Sequence, residues 1–212
     1  MVSRRRFMGQ SQDSRYTELE YIESTGTQYI DTGICIGKYT NCVFVMTAAC
    51  STENKFLFGS RNSTTGTNQG RFAYYVSSLQ EGKQTNPQYG NTNIIQYNNA
   101  VDLTNKTTIK FSADGFWQND TKICDIQSSS GSPTSKYSVY LLSCNTAGYV
   151  ADARRMSAKL YGCQVYQYGS LKIMDLIPVF DNKLRKPCLY DKEYHKFYYN
   201  AGTGEFLYEY KH

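Results

Sequence analysis

Short stretches of alternating apolar and polar residues, separated by polar turns, run through most of this chain and predict β-strands. The pattern is clearest in the last third, in KLYGCQVYQYGSLKIMDLIPVF at 159–180 and CLYDKEYHKFYYNAGTGEF at 188–206. Each of these segments predicts two strands, with Gly169 and the glycines at 202–204 as turn residues. The closing third of the chain is therefore expected to form four strands.

The first of these strands carries apolar side chains at both its odd-numbered and its even-numbered positions. Since neighbouring residues of a strand point to opposite faces, we expect both faces to be covered, as in the middle of a two-sheet sandwich. The side chains of one parity are Tyr161, Cys163 and Val165, and those of the other are Leu160, Gly162 and Tyr166.

Similar short patterns predict strands in the rest of the chain. Residues 79–90 and 128–135 are expected to be irregular, and 151–157 to hold one helical turn. Asn119-Asp120 is predicted to be a hairpin turn, since both residues tolerate positive φ. The strands are predicted near Leu19–Ile22 and at 28–31, 41–49, 55–60, 70–78, 94–97, 107–111, 115–118, 121–126 and 137–144.

These elements favour one all-β domain. There is no alternation of helix and strand, no internal repeat, and no linker between two cores. We therefore predict an antiparallel two-sheet jelly-roll sandwich over residues 16–212, preceded by a polar, basic N-terminal arm at 1–15.

The cysteines and the lack of long apolar stretches indicate the compartment in which the chain is made. The seven cysteines form no C-x-x-C pair and mostly lie in apolar strand patterns, so they are expected to be reduced core residues. No apolar stretch follows the basic start, and none approaches the length of a membrane span, so we predict neither a signal peptide nor a transmembrane helix. Synthesis in a reducing cytoplasm fits this pattern.

Charge is concentrated at the N-terminus. The net charge is +5, and the first 15 residues contain four arginines and one aspartate. The rest of the chain is nearly neutral, which argues against a nucleic-acid-binding face. Three interpretations of Arg4, Arg5, Arg6 and Phe7 stay open: a solvated arm, an anchor to an acidic partner surface, or a contact with nucleic acid.

Catalytic and metal-binding patterns are weak. Glu18, Glu20 and Glu23 spell E-x-E-x-x-E, but they open the domain and meet a turn, which favours ordinary edge-strand charges over a glycosidase pair. The only histidines, His195 and His212, offer no credible base for a nucleophile. The loop aspartates at 114, 120 and 152 lack the ligand spacing of a calcium site. We predict no enzyme, no metal and no cofactor.

Carbohydrate binding is the more serious chemistry, because sugar rings stack on Trp and Tyr while amides and carboxylates bond their hydroxyls. Trp117 lies beside Asn119 and Asp120 at a hairpin tip, with Tyr74 and Tyr75 on a predicted neighbouring strand. These five residues are the candidate glycan contacts. The tryptophan could equally be core, and the tyrosines could cover a subunit interface.

Two stretches carry a family resemblance: EYIESTGTQYIDTGI at 20–34 and the closing segments at 159–206. Together they resemble the laminin-G-like, concanavalin A-like jelly-roll domains of virion structural proteins from phages of gut bacteria (Bacteroidetes). The resemblance implies that the first strand pairs near the C-terminal strands. It implies the fold and carries over no catalytic residue.

The resemblance leads to an expected function. The chain is expected to be a non-enzymatic virion protein, such as a fibre, decoration or tail-associated subunit, present in many copies. The arm would attach it to other virion proteins, and loops 61–69, 79–92 and 127–136 would face outward. The alternative is a lectin-like domain that binds host surface glycans. The expected location is the virion, after synthesis in the bacterial host cytoplasm.

Overall fold

The structure is a computed structural model. It describes residues 15–48, 55–64, 70–76, 85–90, 103–126, 131–150 and 154–212, without the side chains of 75, 76, 85 and 86. The candidate anchor residues and the predicted strand at 94–97 lie outside these ranges.

All regular elements in the described ranges are strands, apart from a single 3-10 residue at Arg154. The expected all-β class is therefore confirmed. The strands are β1 (Tyr16–Thr25), β2 (Ile30–Asp31), β3 (Thr40–Ala48), β4 (Lys55–Arg61), β5 (Arg71–Val76), β6 (Thr85–Gly90), β7 (Thr107–Ser112), β8 (Gly115–Gln118), β9 (Thr121–Cys124), β10 (Tyr140–Leu141), β11 (Asn145–Thr146), β12 (Tyr149–Val150), β13 (Ser157–Gln167), β14 (Leu171–Asp181), β15 (Lys186–Asp191), β16 (Lys196–Tyr198) and β17 (Leu207–Tyr210).

The strands form two sheets. The large sheet has the order β16-β15-β14-β1-β13-β3-β7-β8-β9, and β17 pairs with β1. The small sheet has the order β12-β11-β4-β10-β2, extended through β4 by β5 and then β6. Pairing is antiparallel except between β11 and β4.

Aromatic rings join the two sheets into a sandwich. Phe58 of the small sheet stacks on Phe44 of the large sheet, with ring centroids 4.0 Å apart. The small sheet's Phe72 lies 4.7 Å from Phe111 of the large sheet. All four side chains are buried in one continuous core. Contact between rings of opposite sheets establishes face-to-face packing.

The first strand lies inside the large sheet. At its end, β1 pairs with β13, for example Ile22 with Leu160. At its start it pairs with β14, for example Thr17 with Phe180, and its middle pairs with β17. The expected pairing of the first strand with the C-terminal strands is therefore observed. The expectation of an edge strand is wrong, because β1 has neighbours on both sides.

A β-bulge explains the double apolar parity of β13. Leu160 pairs with Met46 and Gly162 with the next residue of β3, Val45, so Tyr161 is an extra residue. The buried positions switch parity there, from Ala158 and Leu160 to Cys163 and Val165. One face of β13 is therefore buried and the other is half-exposed, and the prediction of two covered faces is wrong.

Three further predictions need correction. Residues 85–90, expected to be irregular, form β6 and pair with β5. Only Tyr140–Leu141 is a strand within the predicted strand 137–144. The expected helical turn at 151–157 is reduced, within its described part, to one 3-10 residue at Arg154, and β13 begins at Ser157.

The cysteines behave largely as predicted. Among the described residues, all six cysteines are free thiols and five of them are buried, whereas Cys35 is exposed. Burial raises the pKa of the Cys144 thiol to about 11 and that of the Cys188 thiol to about 12. These thiols are therefore protonated and act as small apolar side chains.

Candidate functional site

The C-terminal strand leaves part of the large sheet's core face open. In β17, Tyr208 lies opposite Ile22 and Tyr210 opposite Leu19. Because directly opposite residues share a face, and Ile22 and Leu19 are core residues, both tyrosines project from the core face. They are nevertheless 39% and 44% exposed. The small sheet does not cover this corner of the sandwich.

Phe180 of β14 forms the floor of this corner. Its ring centroid lies 5.4 Å from that of Tyr208 and 6.2 Å from that of Tyr210. The two tyrosine rings are themselves 5.5 Å apart and nearly perpendicular. The three rings form an aromatic surface that is continuous with the buried core at Phe180 and open to solvent at the tyrosines.

A guanidinium and a carboxylate flank this aromatic surface. The guanidinium carbon of Arg185 lies 5.4 Å from the centroid of Phe180. A hydrogen bond with Tyr210 and partial burial raise the pKa of Tyr208, Arg185 opposes this rise, and Glu205 adds to it. Both charged groups therefore act at the Tyr208 hydroxyl. We call Phe180, Arg185, Glu205, Tyr208 and Tyr210 the C-terminal cleft.

A cavity of about 140 Å³ adjoins the C-terminal cleft. The cavity adjoins the cleft because Pro187, in the cavity lining, pairs with Phe180 of the cleft across β14 and β15. Glu205 belongs to both the cavity lining and the cleft. Its lining offers amide, carboxylate and backbone groups: Lys186, Pro187, Asn200, Gly202, Gly204, Glu205 and Phe206.

Two loops hold the cavity wall in place. The side chain of Asn200 accepts a hydrogen bond from the backbone amide of Tyr29, at 3.2 Å. The side chain of Gln28 donates to the carbonyl oxygen of Glu205, at 2.9 Å. The amide of Thr203 donates to the carbonyl oxygen of Thr27. Loop 26–29 and loop 200–205 thus form one junction, and these loops belong to the two stretches that carry the family resemblance.

Trp117, the central predicted glycan contact, lies apart from the C-terminal cleft. Trp117 lies on the outer face of the large sheet, since its paired residue Lys110 flanks the core residues Ile109 and Phe111 on β7. Its ring is half-exposed, and the ammonium groups of Lys110 and Lys122 lie 5.0 and 5.3 Å from its centroid. These cations compete with a sugar for the ring surface.

The structure brings Asn119 and Asp120 next to Trp117 but buries Tyr74 in the core. Asn119 and Asp120 form the predicted hairpin turn, with φ of 45° and 65°. The side chain of Asn119 accepts a hydrogen bond from the amide of Thr108, so this oxygen serves the turn. Tyr74 is fully buried and stacks on Phe116 in the core, so its expected ligand role is corrected to a packing role. The side chain of Tyr75 lies outside the described part.

Two of the three glutamates near the N-terminus, Glu18 and Glu20, are paired with lysines. Glu18 binds Lys211 and Glu20 binds Lys106, each with a nitrogen-to-oxygen distance of 2.7 Å. These exposed ion pairs fit surface charges better than a catalytic pair.

The remaining weak candidates are His195 and the loop aspartates. The ring nitrogen Nδ1 of His195 lies 3.0 Å from the hydroxyl of Tyr190. Asp114 and Asp120 are exposed, and no cluster of three potential metal-ligating acids, histidines or cysteines occurs among the described residues.

Arg15 is the first residue that the structure describes, and the candidate anchor residues Arg4, Arg5, Arg6 and Phe7 lie outside the described part. The guanidinium of Arg15 donates a hydrogen bond to the hydroxyl of Tyr190, at 2.9 Å. Tyr190 belongs to a small apolar cluster with Val179 and Cys188, on the face of β14 and β15 opposite the core. The chain therefore enters the domain at the outer face of the large sheet.

Sequence reasoning missed the C-terminal cleft because it ended the last strand at Phe206. The available signal was the continued alternation in FLYEY, with Phe206, Tyr208 and Tyr210 at one parity. That alternation does not show whether a second sheet covers the tyrosines.

The comparisons with known proteins supply no family. No protein-family model matches the chain, and no curated protein is significantly similar to it. In the described part of the chain, no helix has the length and apolar character needed to span a membrane.

Proposed function

We propose that this chain is a non-enzymatic carbohydrate-recognition domain, a jelly-roll sandwich of the concanavalin A-like type, displayed on a phage particle. The observation that carries the recognition role is the open aromatic surface of the C-terminal cleft. Exposed Tyr208 and Tyr210 sit on the buried Phe180, next to a cavity whose lining includes the carboxylate of Glu205 and backbone groups. Sugar rings stack on such surfaces, and their hydroxyls bond to such groups.

The rigidity of the site supports this proposal. Phe180 is 7% exposed and the junction of loops 26–29 and 200–205 is fixed by several hydrogen bonds. A pre-formed surface loses little conformational entropy when a ligand binds. The hypothesis of catalysis has less support, because the E-x-E-x-x-E carboxylates at positions 18 and 20 bind lysines.

A glycan array with the full chain tests the recognition role. The double variant Tyr208→Ala/Tyr210→Ala should lose binding by about 5- to 150-fold, since each lost stacking contact costs about 0.5 to 1.5 kcal/mol. The matched control is Tyr149→Ala, because Tyr149 is 78% exposed and lies on the small sheet. Equal binding by both variants, or no glycan bound by the wild type, would rule out this role.

The virion location is supported by the family resemblance alone. The chain enters the domain on the outer face, whereas the C-terminal cleft opens from the core face, so attachment and recognition use different surfaces. The full-length variant Arg4→Ala/Arg5→Ala/Arg6→Ala should fold normally and fail to join particles. Normal incorporation would remove the anchor role of Arg4, Arg5 and Arg6, and the same variant with Phe7→Ala added tests Phe7.

A further inference from the structure

Arg185 is the feature of the C-terminal cleft that points to a ligand class. It ends the turn between β14 and β15 with a left-handed backbone, φ 57°. Its guanidinium lies over the ring of Phe180, and its field reaches the hydroxyl of Tyr208. The ring contact holds the guanidinium at the edge of the aromatic surface.

This guanidinium has no acidic partner in the described part of the chain. No carboxylate oxygen there lies within ion-pair distance of Arg185, and Glu205 forms no ion pair with any described residue either. The same turn adds Lys183 and Lys186, while Asp181 is its only acid. The turn side of the cleft is therefore positively charged.

A planar guanidinium binds a carboxylate through two parallel hydrogen bonds, which a lysine cannot reproduce. A carboxylate on a sugar ring can approach Arg185 while the ring covers Tyr208 and Tyr210. Glu205, which lines the adjoining cavity, can accept hydrogen bonds from sugar hydroxyls there.

We propose that the C-terminal cleft binds acidic saccharides of the uronate class, with the sugar carboxylate on Arg185 and the sugar ring on Tyr208 and Tyr210. This inference rests on the proposed carbohydrate-recognition function. It adds a requirement for a negative charge at one defined position of the ligand.

The test compares two polymers with the same backbone. Polygalacturonate carries free carboxylates, and its methyl ester carries none. Polyacrylate carries carboxylates without sugar rings. Binding of the full chain to each is measured by isothermal titration calorimetry at fixed ionic strength, because exposed charges are screened by salt.

Three variants distinguish the planar, two-hydrogen-bond geometry of the Arg185 guanidinium from its positive charge. Arg185→Gln removes the cation, and Arg185→Lys keeps the charge without the planar fork. Lys183→Gln is the matched control, since it removes one positive charge from the same turn. All three leave the core unchanged because both residues are exposed.

The wild type should prefer polygalacturonate to its methyl ester at least tenfold and should bind polyacrylate weakly. Arg185→Gln should abolish that preference, Arg185→Lys should reduce it severalfold, and Lys183→Gln should retain it. Equal binding of acid and ester, equal binding of polyacrylate, or equal effects of the position-185 and position-183 variants would overturn the inference.

The experiments distinguish failure of the uronate inference from failure of the proposed carbohydrate-recognition function. If neutral glycans bind without preference for acidic ones, and Tyr208→Ala/Tyr210→Ala abolishes that binding, the function stands and the uronate inference is wrong. If no saccharide binds the wild type, both are wrong.

Discussion

Replacing Gly202 by alanine tests whether the junction of loops 26–29 and 200–205 is a close-packed contact. A Cβ at this position would fall onto the carbonyl oxygen of Thr27 and lie 3.2 Å from the Cα of Gln28. Backbone atoms cannot move away as a flexible side chain can, so the two loops must separate. Their hydrogen bonds at Thr203, Gln28 and Asn200 would then lengthen.

The expected loss follows from two opposing effects. Overpacking costs about 1 to 3 kcal/mol. The lower entropy of the unfolded alanine chain returns about 0.4 to 1 kcal/mol. The entropy gain is shared by any tolerated glycine-to-alanine change, so the free energy of unfolding should be about 1 to 3 kcal/mol lower than in such a control variant. With a urea m-value of about 2 kcal/mol/M, the midpoint should be about 0.5 to 1.5 M lower than that of the control.

Urea unfolding followed by tryptophan fluorescence measures this change, with Gly37→Ala as the control. Gly37 has open space around its Cβ position and no positive φ, so alanine is tolerated there. The Gly202→Ala variant should also bind glycan more weakly, because the cavity wall contains Gly202. Equal midpoints for the two variants would refute the close-packed junction.

Three further predictions concern the core, acid stability and the thiols. Phe58→Ala should lower the free energy of unfolding by about 3 to 5 kcal/mol, measured by urea titration, because Phe58 is fully buried between the two sheets; a loss below about 1 kcal/mol would contradict the sandwich core. Burial alone would raise the pKa of Asp181, but the hydroxyl of Tyr199 and two backbone amides lower it below the ordinary value. The ionised Asp181 therefore stabilises the fold above the unfolded pKa of about 3.9, and this stabilisation is lost as pH falls through the lower folded pKa. The difference in unfolding free energy between wild type and Tyr199→Phe should therefore shrink on acidification. A difference that stays constant with pH would refute this. Under native conditions, maleimide labelling with peptide mapping should modify exposed Cys35 rapidly and buried Cys42, whose pKa is raised by burial, slowly; equal rates would contradict the burial of Cys42.

The parts of the fold that sequence predicted are those set by local chemistry. The β8 and β9 hairpin was placed correctly because Asn119 and Asp120 tolerate positive φ between two short β-rich stretches. The strands at 41–49 and 55–60 were found within one residue of β3 and β4, because their apolar patterns are dense and bounded by polar turns.

The errors arise where long-range pairing decides the outcome. Nothing local to residues 16–25 indicates that β1 lies between β13 and β14. The bulge at Tyr161 mimics a strand with two apolar faces, because one extra residue exchanges the buried parity. Tyr74 and Tyr208 have similar sequence contexts, but one is enclosed by the second sheet and the other is not.

The position of β1 also determines when this protein can finish folding. Ile22 pairs with Leu160 and Tyr208, and Thr17 pairs with Phe180, so the partners of the first strand are synthesised last. Such pairings carry a large loop-closure cost and fold slowly. The centre of the large sheet must therefore form after the ribosome has made the chain through β17. A product truncated before β13 would leave β1 without any of its partners, exposing the strand to aggregation, so translation through β17 is a condition for a complete large sheet.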